Sequence, residues 1–168
     1  MRLLTIISLL TITFSSSLCQ SISIKDLENC LGKDKTVFFE MMEAKGFKPG
    51  LSELETIAKN LAKNIQNMTG EKFNGTSFMH SSNYTATIIF DGNSIASMLQ
   101  FGTKRPKEDE VKNLITALET LKYSQTRDSD SDDGSSNIKA YGKADKVFSL
   151  ASYYRGGYTL TSYLKSLE

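Results

Sequence analysis

The N-terminal segment, residues 1–19, places the strongest constraint on what this chain can become. A single positive charge at Arg2 precedes an apolar run from Leu3 to Phe14, and three serines follow. A short basic region, an apolar core and a small-residue exit are typical of a secretory signal peptide, and the run is well short of the ~20 residues that a transmembrane helix needs. We therefore expect cleavage after Cys19, a mature chain that begins near Gln20, and a secreted protein.

Loss of this segment would leave Cys30 as the sole cysteine, so no disulfide could form within the chain. The fold must then be held by a buried core, and residues 20–168 are enough for a single domain with such a core. Cys30 lies at helical spacing with Ile24 and Leu27, which favours a small residue of the core. The alternative is an intermolecular disulfide, which would make a dimer through Cys30.

The charge balance argues against two classes of partner. Of the 20 Lys and Arg residues only Arg2 would leave with the signal peptide, so basic and acidic residues balance at 19 each in the mature chain. A neutral chain lacks the basic surface that nucleic acid requires. No second apolar segment is long enough to span a membrane. We expect neither nucleic acid nor a membrane as a partner.

Hydrophobic periodicity predicts the α+β class, with N-terminal helices and a later helix packed on one face of a small antiparallel sheet. Helices are expected over 23–31, 35–45 and 51–68, and a fourth should begin at Pro106 and run to Tyr123. The third has the clearest apolar stripe, which we expect in the core: Leu51, Leu54, Ile57, Ala58, Leu61, Ile65 and Met68.

Two hairpins are predicted after the third helix, beyond a polar loop. The first pairs residues 83–90 with 94–101 across a turn at Asp91-Gly92-Asn93, although helix is an alternative for 94–101. The second pairs 146–154 with 158–164 around Gly156 and Gly157, and residues 138–141 are expected to add a short strand. We interpret residues 126–137, which are rich in aspartate, as an acidic loop.

Few residues of the mature chain could support catalysis. His80 is the only histidine, and one histidine with one distant cysteine does not make a zinc site. The run from Gly92 to Ala96 resembles the elbow of a serine hydrolase but lacks its second glycine, and it lies in a predicted hairpin turn. We predict no catalytic residues and no cofactor.

The acidic loop is the one candidate for a metal ion. Asp128, Asp130 and Asp132 have the spacing of the first EF-hand ligands. However, Asp133 stands where that motif requires glycine, and Lys139 where it requires glutamate. The sequence therefore predicts a charged loop and no metal site.

Two further sets of residues are candidates for modification and recognition. Asn67, Asn74 and Asn83 each begin an Asn-x-Thr sequon, and we predict N-linked glycans between the third helix and the first hairpin. Four tyrosines are close in sequence around the second hairpin and form a candidate binding face, with core or cross-strand packing as the alternative. They are Tyr153, Tyr154, Tyr158 and Tyr163.

The leading hypothesis from the sequence is a secreted, non-enzymatic glycoprotein that binds a small apolar ligand or an extracellular protein. The alternatives are an extracellular hydrolase that uses carboxylates or His80, and a secreted protease inhibitor. A pocket lined by Phe and Met between sheet and helices would favour the small ligand. Converging carboxylates in a cleft would favour the enzyme, and a filled interior with a projecting loop would favour the inhibitor.

Overall fold

The computed structural model describes residues 22–80 and 83–167, so the predicted signal peptide of residues 1–19 lies outside the described residues. Within these ranges the chain forms four α-helices, eight strands and a short 3-10 helix. The helices are α1 Ile24–Cys30, α2 Lys35–Ala44, α3 Ser52–Thr69 and α4 Glu110–Thr120, and the 3-10 helix is Lys165–Leu167. The strands are β1 Lys48–Pro49, β2 Phe73–Met79, β3 Tyr84–Asp91, β4 Ala96–Thr103, β5 Ser124–Asp130, β6 Ser136–Lys143, β7 Lys146–Tyr153 and β8 Tyr158–Leu164.

All eight strands form one antiparallel sheet in the order β1-β2-β3-β4-β8-β7-β6-β5. Strands β2–β4 and β5–β8 form two up-and-down meanders, each preceded by a helix, α3 before β2 and α4 before β5, and the short β1 pairs with the outer edge of β2. The two meanders meet where β4 pairs with β8, from Met98 opposite Tyr163 to Thr103 opposite Tyr158. The predicted α+β class is confirmed.

Helices pack on both faces of this sheet. Side chains alternate between the faces of a strand, and the neighbours Ile88 and Ile89 accordingly belong to two separate cores. The larger core lies under α1, α2 and α4, and its fully buried side chains include Phe38, Met42, Leu99, Phe101, Tyr141, Phe148 and Tyr158. The smaller core lies under α3 and contains Ala62, Ile65, Phe73 and Ile89. We call the face that carries α3 the open face, because α3 packs over β2 and β3 and leaves half-exposed side chains on β8, β7 and β6.

A capping box begins α1. The Ser23 hydroxyl oxygen accepts a hydrogen bond from the Asp26 amide at 3.1 Å, and the Ser23 amide donates to the Asp26 carboxylate at 2.9 Å. The Lys45 ammonium, just after α2, lies 3.0 Å from the same carboxylate. One side chain therefore caps α1 and ties it to the end of α2.

Cys30 occupies the core position that its helical spacing predicts, with 2 % of its surface exposed. Its Sγ lies 3.9 Å from Met41 Sδ. Burial, together with the negative charge of Asp26, raises the pKa of the Cys30 thiol to about 11. A buried thiol that stays protonated is poorly placed to pair with another chain, which argues against the dimer through Cys30.

Two helical details differ from the prediction. The fourth helix begins at Glu110 rather than Pro106, because Asp109 adopts a left-handed conformation at φ 60° and the Glu110 carboxylate accepts from the Lys107 amide at 2.9 Å. The apolar stripe of α3 is only partly buried. Its small residues Ala58 and Ala62 contact the sheet, whereas Leu51, Ile57 and Met68 are exposed.

The predicted first hairpin is confirmed as β3 and β4, so residues 94–101 are not helical. However, the expected polar loop before it contains β2. This strand lacks an apolar alternation because α3 crosses it closely, and a Cβ added at Gly75 would lie 2.4 Å from the Ala58 carbonyl oxygen. Only small residues fit at such a crossing, and they hide the strand from hydrophobic patterning.

The expected acidic loop at 126–137 is also wrong, because most of it is hairpin. Residues up to Asp130 belong to β5 and residues from Ser136 belong to β6. Between them the Asp133 carboxylate accepts from the Ser131 and Ser135 hydroxyls, each at 2.7 Å, and these bonds lower its pKa to about 2. β5 escapes the pattern because it is an exposed edge strand held by pairing with β6.

Candidate functional site

A groove of about 930 Å³ lies on the open face, between α3 and the turn that joins β7 to β8. Its floor is formed by β3, β4 and β8, which present the half-exposed side chains of Thr85, Thr87, Gln100 and Thr159. The register places Thr87 opposite Gln100, and the Gln100 side-chain amide donates to the Thr161 hydroxyl at 3.3 Å. The floor is therefore polar but uncharged.

One wall of the groove is apolar. It consists of Leu54 and Ile57 from α3 and Met79 from the end of β2. Ile57 is 58 % exposed and Leu54 is half-buried. The sequence predicts both side chains in the core. They lie outside it because the small residues Ala58 and Ala62 of the same helix make the contact with the sheet.

The opposite end of the groove is basic, and we call it the cationic end. Lys104 and Arg105 follow β4, and Arg155 lies in the β7–β8 turn; all three are exposed. Within the described residues none of them has an ion pair, and none of the residues that line the groove is acidic. Because no carboxylate of the described residues lies within ion-pair distance of these cations, we infer a positive potential at this end.

The β7–β8 turn brings these cations to one place. Gly157 has φ 91°, and a Cβ added there would lie 2.7 Å from the Thr103 carbonyl oxygen. The turn is therefore seated directly on the end of β4. Because Arg155 belongs to this turn, it reaches the same end of the groove as Lys104.

Hydrogen bonds hold the remaining loops at this end. The Thr103 hydroxyl donates to the Asn83 carbonyl oxygen at 3.2 Å and accepts from the Arg105 amide at 3.1 Å. On the other side of the sheet, Glu110 accepts from the hydroxyls of Tyr84 at 2.7 Å and Tyr158 at 2.8 Å. The loop that carries Lys104 and Arg105 is thus fixed between β4 and the start of α4.

The predicted glycosylation sites are all exposed but do not form one patch. Asn67 lies near the end of α3, and Asn74 lies on β2. Asn83 lies at the start of β3, with φ 68°, and lines the groove. A glycan on Asn83 would stand beside the cationic end.

The four tyrosines do not share a face. Tyr158 is buried in the larger core, whereas Tyr153 lines the groove and its hydroxyl lies 3.3 Å from that of Thr159. Tyr154 is exposed and donates to Asp130 at 2.5 Å. Tyr163 lies on the same face of β8 as Thr159, the open face. Among the four tyrosines of the candidate binding face, Tyr153 is the one that is both exposed and part of the groove lining.

His80 also lies in the groove, where its ring packs 5.2 Å from that of Phe47. Ser94 of the elbow-like run lies at the far end of β3, so the structure does not bring these two residues together. The described residues contain no cluster of three His, Cys, Asp or Glu side chains suited to a metal ion. Asp128 instead accepts from Asn137 at 3.1 Å and lies 3.3 Å from the Lys139 ammonium.

The cationic end is difficult to predict from the sequence. Lys104, Arg105 and Arg155 are ordinary basic residues near turns, and they meet only because β4 pairs with β8. The pair Gly156-Gly157 predicts the turn, but it does not predict that the turn packs against the end of β4.

Among the described helices, none has the length and apolar character needed to cross a membrane. Comparison of the chain with protein-family models, curated proteins and solved structures finds no match.

Proposed function

We propose that this chain is a secreted, non-enzymatic binding protein whose small-molecule ligand lies in the groove between α3 and the β7–β8 turn. The observation that carries the proposal is the composition of the groove. Its volume, about 930 Å³, falls within the range of small-molecule sites, and it combines an apolar wall with a few polar groups. Such a lining can retain a ligand and fix its orientation.

A small ligand accounts for the groove better than a protein partner does. The site is concave, and Asn83 of a predicted sequon lies on its margin. A glycan there would obstruct a flat protein surface but would leave room for a small molecule. The lining also favours binding over hydrolysis, because the carboxylate pair that a glycosidase uses is not among the residues of the groove.

The proposal is tested with N-phenyl-1-naphthylamine, a neutral probe whose fluorescence rises in apolar surroundings. We expect saturable binding to the secreted protein and at least tenfold weaker binding to Ile57→Asp, which places a charge on the apolar wall. Met68→Asp is the matched control, because Met68 is an exposed residue of the same helix outside the groove. Absence of saturable binding, or equal loss in both variants, would contradict the proposal.

A further inference from the structure

We propose that the ligand of the groove is an anionic amphiphile, a soluble single-chain organic acid whose head group lies at the cationic end and whose apolar chain lies along α3. This inference rests on the proposed function and extends it by giving the charge of the ligand and its direction in the site.

The charge distribution supports an acidic head group. The mature chain predicted from the sequence is neutral, so three unpaired cations at one end of a groove without acidic lining are a local excess. Two of them are arginines, whose planar guanidinium groups bind carboxylate, sulfate or phosphate through two parallel hydrogen bonds. The half-buried carboxylate of Glu110 accepts three hydrogen bonds, from the hydroxyls of Tyr84 and Tyr158 and from the Lys107 amide, and it belongs to the other face.

The apolar wall supports a chain attached to that head group. Leu54 and Ile57 are one helical turn apart on α3, and Met79 continues the wall at the end of β2. Along the floor, the four residue steps from Lys104 back to Gln100 span about 13 Å at the rise of an extended strand. Hydroxyl and amide groups line this floor. The apolar chain of the ligand therefore contacts the apolar wall on one side and the polar floor on the other.

The test compares three ligands that share a dodecyl chain and differ in the head group: dodecanoate, dodecanol and dodecyltrimethylammonium. Isothermal titration calorimetry is carried out on the secreted protein below the micellar concentrations. We expect dodecanoate to bind at least tenfold more tightly than dodecanol and the cation to bind most weakly. We also expect the preference for dodecanoate to decline as salt is added, because the cationic end is solvated.

Variants then locate the head group. Arg155→Ala and the double variant Lys104→Ala/Arg105→Ala should each weaken dodecanoate at least tenfold and leave dodecanol unchanged. Arg127→Ala is the matched control, because Arg127 is an exposed arginine on the edge strand β5 and does not line the groove. Circular dichroism confirms that each variant is folded.

The outcomes separate this inference from the proposed function. Equal affinities for dodecanoate and dodecanol, or dodecanoate binding that the cationic variants do not affect, would overturn the inference and leave the groove as a binding site for neutral ligands. Failure of every ligand and of the neutral probe would overturn both. A final arm uses vesicles of anionic phospholipid: binding to them with no affinity for free dodecanoate would reject a soluble ligand in favour of a membrane surface.

Discussion

Glu110 shows how one carboxylate can join elements that are distant in sequence. Its two oxygens accept from Tyr84 on β3, from Tyr158 on β8 and from the Lys107 amide that precedes α4. The hydroxyl groups of two buried tyrosines are thereby satisfied by one side chain. Hydrogen bonds to a charged acceptor are worth more than neutral ones, about 1.5–3 kcal/mol each.

Replacing Tyr158 by Phe tests this arrangement. The variant keeps the buried ring and removes one hydrogen bond to the carboxylate, so we expect the free energy of unfolding to fall by about 1.5–3 kcal/mol. Urea denaturation with an unchanged slope measures it. Tyr153→Phe is the control, because Tyr153 is exposed and its hydroxyl bond to Thr159 is long at 3.3 Å. An equal loss in the two variants would show that the Glu110 contact is not stabilising.

Asp26 should give the protein a defined sensitivity to acid. Burial raises the pKa of this carboxyl, but the hydrogen bonds from Ser23 and the Lys45 ammonium outweigh burial, so the pKa lies below its usual 3.8 in the folded state. The unfolded chain therefore takes up this proton first. The stability that Asp26 contributes is complete above about pH 4 and is lost as the pH falls through the folded-state pKa.

Asp26→Asn removes that contribution, so its stability should depend less on pH below about pH 4 than that of the wild type. Thermal unfolding followed across about pH 2–6 measures the difference, because a carboxyl with a lowered pKa takes up its proton within this range. Asp132→Asn is the control, since Asp132 is exposed and has no hydrogen bond among the described residues. Parallel pH profiles for wild type and Asp26→Asn would contradict the assignment.

Cys30 should be unreactive in the folded protein. In a chain that begins at Gln20 it is the sole thiol, and it is buried with its pKa raised to about 11 by loss of solvent and by Asp26. We expect Ellman's reagent at pH 8 to react with it only after denaturant is added. Prompt reaction in native buffer, or a dimer that reductant dissolves, would restore the alternative of a disulfide between chains.

Among the helices and strands, the elements that local sequence features stabilise were predicted accurately, and those that depend on distant contacts were not. α1, α2 and α3 were predicted within one or two residues, because caps and apolar periodicity are local in sequence. β2 and β5 were missed because neither depends on alternating burial. β2 carries Gly75 beneath α3, and β5 is exposed along its length.

Gly75 provides a direct test of the packing of α3 on β2. A methyl group at this position would meet the Ala58 carbonyl oxygen at 2.4 Å, so Gly75→Ala must displace the helix. Overpacking of this kind costs about 1–3 kcal/mol. Gly92→Ala is the matched control, because a Cβ there meets nothing within 4 Å. If urea denaturation gives both variants the stability of the wild type, α3 does not pack closely against β2 at Gly75.

The groove was less predictable than the elements around it. His80, Asn83 and Tyr153 were singled out from the sequence, and each lines the groove. From sequence, these residues have three different predicted roles: a possible catalytic base, a glycosylation site and part of a binding face. The basic residues of the cationic end are not predicted. The site is assembled by pairing between β4 and β8, which are more than 50 residues apart along the chain, and no local pattern reports such a pairing.

At the scale of the whole molecule, the export and glycosylation of the chain are still predictions from sequence. Protein secreted from a eukaryotic host should begin near Gln20 and lose mass on treatment with an N-glycosidase. Intact-mass spectrometry measures both. Asn67→Gln, Asn74→Gln and Asn83→Gln, taken singly, assign the sites. Recovery of an intact Met1 end from the cytosol, or no change in mass with the glycosidase, would contradict these predictions.

The position of β8 has a consequence for how the molecule is made. Of the eight strands in the described residues, it leaves the ribosome last, yet it lies in the middle of the sheet between β4 and β7. Until residues 158–164 are available, the hydrogen-bonding edge of β4 has no neighbour, and the two meanders remain separate pieces. A nascent chain stalled before Tyr158 should therefore be captured by chaperones that bind open strand edges.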